Sequence, residues 1–238
     1  MVQLQVQNEE IMISVNDLAI GTIKLYRNEW HIHHQYLQIQ LNNLHTEWSR
    51  VIFEEIYRLV QRPLQVMLDS NEVDCIDFLI KGGFLCRRKC YERDVTWKDY
   101  VGNQVVESVN RVEQNEADYL ECCRVLFKHY VKTHLAINPL TADFGAFVGA
   151  LPKSVLCEKE ENSIVHVAFI EGNEIAYVAS EMPDCFVAFA ERIICQLFRG
   201  NSSIYFEADD CDEVAMQLVK LFSVNDEVSY DTYVYNPL

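Results

Sequence analysis

The residues best equipped for chemistry crowd a junction near the end of the chain. Glu207-Ala208-Asp209-Asp210-Cys211-Asp212-Glu213 joins the end of an apolar strand pattern to the start of a helical one. Carboxylates in that place have two uses. They complement the positive end of a helix, or they line a pocket for a cationic amine, with Glu207 or Glu174 as general base. Tyr230, Asp231 and Tyr233 on the closing strand are expected to line the same cleft. His31-Ile32-His33-His34 would put His31 and His33 on one strand face, a spacing suited to one ion. No nearby cysteine or acid completes the set, so a polar hairpin end is expected and no metal. Cys122 and Cys123 lie on the apolar side of a helix, where core packing is the default for thiols. His134 precedes Leu-Ala-Ile-Asn-Pro and reads as a helix-end imidazole; an acceptor-pocket base is its other use.

The elements that must position these groups follow from periodicity. Residues 1–41 alternate as antiparallel strands, with Ile11, Ile13 and Val15, then Leu18 to Tyr26, then Tyr36, Leu37, Ile39 and Leu41. Thr46 is the expected N-cap of a helix from Glu47 to Val60, and Pro63 closes it. Leu64, Val66 and Leu68 mark a strand. Asp69-Ser70-Asn71 is a turn that caps the helix 72–81. Gly82-Gly83 ends that helix, because glycine takes a left-handed cap without steric cost, and 84–91 returns as a strand. Residues 94–103 read as a linker. Beyond it, 104–112 reads as a strand and 115–135 as an amphipathic helix, and Thr141 caps a short helix to Leu151. Lys159 to Asn162 is a polar loop. Strands at 163–170 and 174–181 flank a Glu171-Gly172-Asn173 hairpin. A helix at 185–199, a strand at 203–207, a helix at 212–222 and a strand at 227–235 follow.

Setting Asp209 on Asp69 aligns the two closing halves at a separation of 140 residues, which predicts an internal duplication. The expected domains are 1–93 and 104–238, joined by the linker. The fold class is α+β, with two units in tandem, each a mixed, mostly antiparallel sheet flanked by helices.

The strand–helix–Gly-Phe–strand run from Pro63 to Glu92, with its second copy, resembles the closing third of the GNAT family of N-acetyltransferases. The resemblance implies acyl-CoA N-acyltransferase units that move an acetyl group from acetyl-CoA to an amine. It implies coenzyme contacts at Ile39 and Leu41 on a strand, at Trp48, Ser49 and Arg50 where the next helix begins, and at Asn71. In the family a glycine-bearing loop bares backbone N–H groups to the coenzyme pyrophosphate. The matching segments, 43–50 and 182–188, contain no glycine. The family's tyrosine proton donor falls on Leu79 and Val219, which have no proton to give. The alternative reading is therefore a catalytically degraded module that binds a ligand or protein partner.

Bulk composition narrows the partners. Thirty-six acids against 20 bases leave a net charge of −16, which repels a phosphate backbone. No nucleic acid is expected, and basic amines or peptides are better tolerated. No apolar run approaches a membrane span, so no membrane partner is expected. Nine cysteines, an odd number, read as reduced residues of a cytoplasmic protein. The expected partners are acetyl-CoA and a small amine or peptide acceptor, with a homodimer left open.

Overall fold

The structure is a computed structural model and describes residues 1–42, 45–224 and 228–237. The chain divides into two compact units. Unit 1 comprises 1–89, 136–141 and 229–238; unit 2 comprises 90–135 and 142–228.

Unit 1 opens with a meander of β1 (Val2–Gln7), β2 (Glu10–Val15), β3 (Leu18–Tyr26) and β4 (Gln35–Leu41). Helix α1 (Thr46–Val60), β5 (Leu64–Asp69) and α2 (Val73–Lys81) follow. The long strand β6 (Leu85–Thr96) begins in unit 1 and ends in unit 2. Ile52, Phe53 and Ile56 of α1 pack with Phe78 and Leu79 of α2 on Leu64, Val66 and Leu68 of β5. The odd and even residues of β5 thus part to opposite faces, as pleating requires.

Unit 2 holds β7 (Asn110–Glu113), α3 (Tyr119–His134), α4 (Phe144–Gly149), β8 (Ser154–Glu160), β9 (Ser163–Glu171) and β10 (Glu174–Ser180). A 3-10 turn at Pro183–Cys185 leads into α5 (Phe186–Phe198), then β11 (Ser203–Asp209) and α6 (Glu213–Val219). The last strand, β12 (Tyr230–Tyr235), returns to unit 1.

Strand order carries the main finding. In unit 1 it runs β1-β2-β3-β4-β5-β12-β6, and in unit 2 β6-β11-β10-β9-β8-β7. The closing strands are exchanged. β12 pairs antiparallel with β5, and the second half of β6 pairs antiparallel with β11. The duplication is visible in the register. Adding 140 to Leu64 gives Ile204 and subtracting 140 from Tyr235 gives Val95, and both pairs are in register. All six pairs of the β5–β12 ladder recur in the β6–β11 ladder under that shift. Helices α1 and α5 begin at the same spacing, Thr46 and Phe186.

Several sequence expectations change. Residues 94–103 are not a free linker: Asp94–Thr96 belong to β6, and Val101 N donates to Leu221 O at 2.9 Å. Within 104–112 only Asn110–Val112 is strand, because pairing with β8 begins there. Helix α1 starts after His45 rather than Glu47. Thr141 caps no helix. Asp143 does, accepting from Ala146 N at 2.8 Å, while the Thr141 hydroxyl donates to Trp30 O at 2.9 Å. Asn43 and Leu44, which open the segment 43–50, and the expected strand start at Glu227 lie outside the described residues.

Gly82 and Gly83 have separate reasons to be glycine. Gly83 has φ +97°, a conformation that side-chain-bearing residues rarely adopt. Gly82 is right-handed, but a Cβ there would sit 2.4 Å from the Phe53 ring. Gly82→Ala is expected to destabilise unit 1 by about 1–3 kcal/mol through overpacking. Urea denaturation measures this, and an unchanged midpoint would show that Phe53 has room to move.

Candidate active site

In both units the central parallel strands part. β4 and β5 are in register only at Gln35–Leu64 and Tyr36–Gln65, although the strands run on to Leu41 and Asp69. β10 and β11 are in register only at Glu174–Tyr205 and Ile175–Phe206. A bulge between Ile175 and Tyr177 turns the rest of β10 away. Each unit therefore holds a gap between two strand ends, with a helix N-terminus beside it.

The gap in unit 2 is flanked by acid. Ile204, Phe206 and Ala208 of β11 are buried under α5 and α6, so Tyr205 and Glu207 take the other face. Cross-strand register puts Glu174 beside Tyr205, and Glu92 beside Glu207. Like charges directly opposite are unfavourable. The Tyr205 hydroxyl donates to Glu207 Oε1 at 2.9 Å, and the Cys90 thiol approaches Oε2 at 3.9 Å. Burial pushes the Glu174 carboxyl above the usual range, and the charges of Glu207 and Glu171 add to it. The same burial, with Glu207 and Glu174 nearby, raises the Tyr177 phenol. Tyr205 is raised by burial and by its bond to Glu207. Glu207 and Glu174 are thus brought to one face. Tyr177, Tyr205 and Glu92 join them, although sequence reading passed them over. The alternation Tyr205-Phe206-Glu207 held the signal.

The expected coenzyme contacts belong to unit 1, and the two carboxylates to unit 2. Topology gathers them at one end: Ile39 and Leu41 on the far half of β4, Trp48, Ser49 and Arg50 on the first turns of α1, Asn71 in the turn after β5. Ile39, Leu41 and Trp48 are partly buried against the core under α1. Asn71 is exposed, and its carbonyl accepts from Val73 N. Arg50 is exposed and ion-paired with Glu54 at 3.0 Å. Ser49 is fully buried and donates its hydroxyl to Thr46 O at 2.7 Å, so its side chain is already engaged within the helix. The N-terminus of α1 has no side-chain cap, which leaves backbone N–H groups for an anion. Glu47 in its first turn opposes one.

Other expectations are relocated. Asp231, Tyr230 and Tyr233 pair along β5 in unit 1, because β12 is exchanged; they do not line the gap beside Glu207. Asp212 caps α6, accepting from Val214 N and Ala215 N, and its other oxygen meets His129 Nε2 at 2.8 Å. That favours the helix-start use of the acidic run for this residue. His134 stacks on Tyr130 with centroids 3.8 Å apart and contacts Tyr130 O, a helix-end role. Leu79 is fully buried and Val219 packs on the unit 2 core, so neither family position offers a hydroxyl. Residues 27–34 form turns, and His31 and His34, not His31 and His33, are the buried pair. No helix among the described residues is long and apolar enough to cross a membrane.

The sequence matches no known family profile, and no curated protein resembles it. Solved structures do. A GCN5-related N-acetyltransferase from Sphaerobacter thermophilus superposes with a TM-score of 0.56 at 11% identity, covering 98% of this chain and 82% of that one. A GCN5-related N-acetyltransferase from Kribbella flavida gives 0.52 at 10% identity, covering 99% and 90%. A GNAT-family acetyltransferase from Colwellia psychrerythraea gives 0.51 at 8%, covering 95% and 85%. The chain has the GNAT acyl-CoA N-acyltransferase fold, and its own register makes it a tandem of two such units.

The raised Glu174 carboxyl has a consequence for stability. Its ionised form is disfavoured in the fold, so the fold holds its proton more tightly than the unfolded chain does. The stabilisation is full below the ordinary glutamate range and is lost as pH rises through the folded value. Glu174→Gln is therefore expected to raise the melting temperature at pH 7 and to change it little near pH 3.5. Equal effects at both pH values would remove the electrostatic cause.

Proposed function

We propose that this protein is an acyltransferase that moves an acetyl group from acetyl-CoA to an amine. The observation that carries the reading is the parting of parallel strands beside the carboxylates of Glu174 and Glu207. An amine in water is mostly ammonium, and only the free amine attacks a thioester. A carboxylate held above its ordinary range is a better proton acceptor near neutral pH. Glu174 takes the ammonium proton in this scheme, and Glu207, held by the Tyr205 hydroxyl, keeps the face negative. Tyr177 and Tyr205 stay protonated at neutral pH, so either can return a proton to a departing thiolate. Acetyl-CoA, when bound, supplies the acyl group and leaves as the thiol.

The reacting coenzyme belongs, on this reading, in the unit 2 gap beside those carboxylates, and a second, non-reacting coenzyme is proposed for the gap in unit 1. The uncapped start of α1 with Arg50 faces the phosphates, Ile39, Leu41 and Trp48 form its apolar side, and Asn71 its rim. Ser49 contributes through its backbone alone. The acceptor is a small amine or a peptide, and the strongly acidic surface suits a basic one. A second reading, a module that binds without transfer, is favoured by Leu79 and Val219 standing where the family has its phenol.

Thermal melting with acetyl-CoA separates the two. At a hundredfold excess over Kd, binding stabilises by about 2.7 kcal/mol, a rise of roughly 5–10 °C for a chain of this size. Arg50→Ala is expected to shrink that rise. Glu207→Gln and Glu174→Gln are expected to keep it and to slow thiol release with a panel of amines by about 100-fold or more. Binding without thiol release in the wild type would favour the second reading, and no rise at millimolar acetyl-CoA would end the first.

A further inference from the structure

Unit 1 ends in a strand with one open side. β1 pairs with β2 and stands last in the strand order, so among the described residues nothing pairs with its other edge. An open row of backbone N–H and C=O groups is a template for another strand, and proteins blunt such edges by shortness, charge, proline or a bulge. The edge strand of unit 2 follows that rule: β7 has four residues, and Arg111 and Glu113 are two of them. β1 has six residues, none of them charged and none proline. Its ladder with β2 runs from Val2–Val15 to Gln7–Glu10 without a bulge. A net charge of −16 drives copies of the chain apart, and an uncharged strip lessens that cost.

Hydrogen-bond parity fixes which groups face outward. Asn16 N donates to Met1 O at 3.0 Å. The register sets Val2 on Val15, so Met1 and Asn16 are a hydrogen-bonded pair. Such pairs alternate along an antiparallel ladder. Gln3, Gln5 and Gln7 therefore bond to β2, and the N–H and C=O groups of Val2, Leu4 and Val6 point to the open edge. Side chains obey the same alternation. Val2 and Leu4 are partly buried against the unit 1 core. Val6 shares their face and is 50% exposed. The three glutamines take the opposite face and are exposed.

Val2-Gln3-Leu4-Gln5-Val6 reads the same in both directions. Antiparallel pairing of two copies about a twofold axis through Leu4 sets Leu4 on its own mate and Val2 on Val6. These are the residues whose backbone groups face outward, so each outward donor meets an outward acceptor. A slide of two residues would leave Val2 or Val6 without such a mate. A slide of one would set them against groups already bonded to β2. In the centred register Val6 gains an apolar neighbour, and Gln3 stands opposite Gln5, amide to amide. We infer that β1 is the contact through which two copies of this chain join, edge to edge, into one continued sheet. The dimer needs no coenzyme and does not depend on the acyl-transfer reading.

Sedimentation of the full chain tests this. The mass is expected to rise from one copy toward two between about 1 µM and 1 mM, as suits a small interface. Leu4→Pro removes an N–H that faces the other copy and none that β2 uses. It is expected to weaken the dimer roughly thirtyfold, because both copies lose a donor. Gln3→Lys with Gln5→Lys changes only exposed side chains and sets like charges opposite each other; this variant is expected to stay single. Gln3→Glu with Gln5→Glu is expected to do the same, and an equimolar mixture of the two to restore a dimer with one copy of each. These surface changes keep the test decisive should the proline variant fold poorly. A wild type that stays single at about 1 mM overturns the proposal. So does a dimer that the lysine variant leaves intact, or growth into open-ended assemblies, which a closed twofold pairing cannot form.

Discussion

Everything in this architecture depends on the exchange of the two closing strands. β5 and β11 each end a parallel pair, and each would otherwise present an open row of backbone N–H and C=O groups. Their natural cover is the strand that follows the next helix. Here α2 is followed by β6, whose second half pairs with β11, and α6 leads to β12, which pairs with β5. The exchange satisfies both edges and also decides which side chains reach each face. Glu92 stands opposite Glu207 only because β6 crosses into unit 2. Thr232 stands beside Arg88 only because β12 returns. The acidic face is therefore not assembled from consecutive elements of its own half.

This explains which features were legible in the sequence. Period and punctuation are local, so the helices near 47–60 and 185–199, the Gly82-Gly83 stop and the hairpin at Gly172 could be read directly. The 140-residue separation could be read as well, because equivalent strands keep the same alternation. Partner choice was not legible. Alternation says that 230–235 is a strand with two faces, and it is silent on whether that strand lies beside Asp69 or Asp209. Asp231 and Tyr233 were assigned to the wrong gap for that reason. The same blindness hid β8 behind an apparent polar loop, and made a linker of residues that hydrogen-bond to Leu221.

The candidate residues divide along the same line. Glu174 and Glu207 were legible as carboxylates near strand ends, and register brought them together. Ser49 was suggested by family position alone, and its hydroxyl is committed to Thr46. The burial of polar side chains in unit 1 left no trace in the sequence. Gln65 and Asn138 are far apart in the sequence, and in any window each reads as an ordinary surface residue. A buried half-satisfied network is costly, so such burial persists only when the surrounding fold imposes it.

The shift of 140 lets the two units be compared position by position. Gln65 corresponds to Tyr205, Met67 to Glu207, Thr232 to Glu92 and Val234 to Asp94, and all lie on the sheet face away from the α1–α2 or α5–α6 pair. One scaffold therefore presents a neutral amide-and-hydroxyl face in unit 1 and a carboxylate-and-phenol face in unit 2. Ordinary drift on a redundant copy would fill an unused buried face with apolar side chains, since these need no partners. Unit 1 instead keeps Gln65 and Thr232 with no exposed surface. Unit 2 keeps three glutamates that repel one another. Both faces hold groups that cost stability in the fold alone, and the two costs have opposite electrostatic character. At these equivalent positions unit 2 carries Glu207, Glu92 and Asp94 where unit 1 carries Met67, Thr232 and Val234. Duplication followed by such a split leaves one chain with two differently charged faces on one scaffold, because equivalent positions keep their place in the ladder while their side chains diverge.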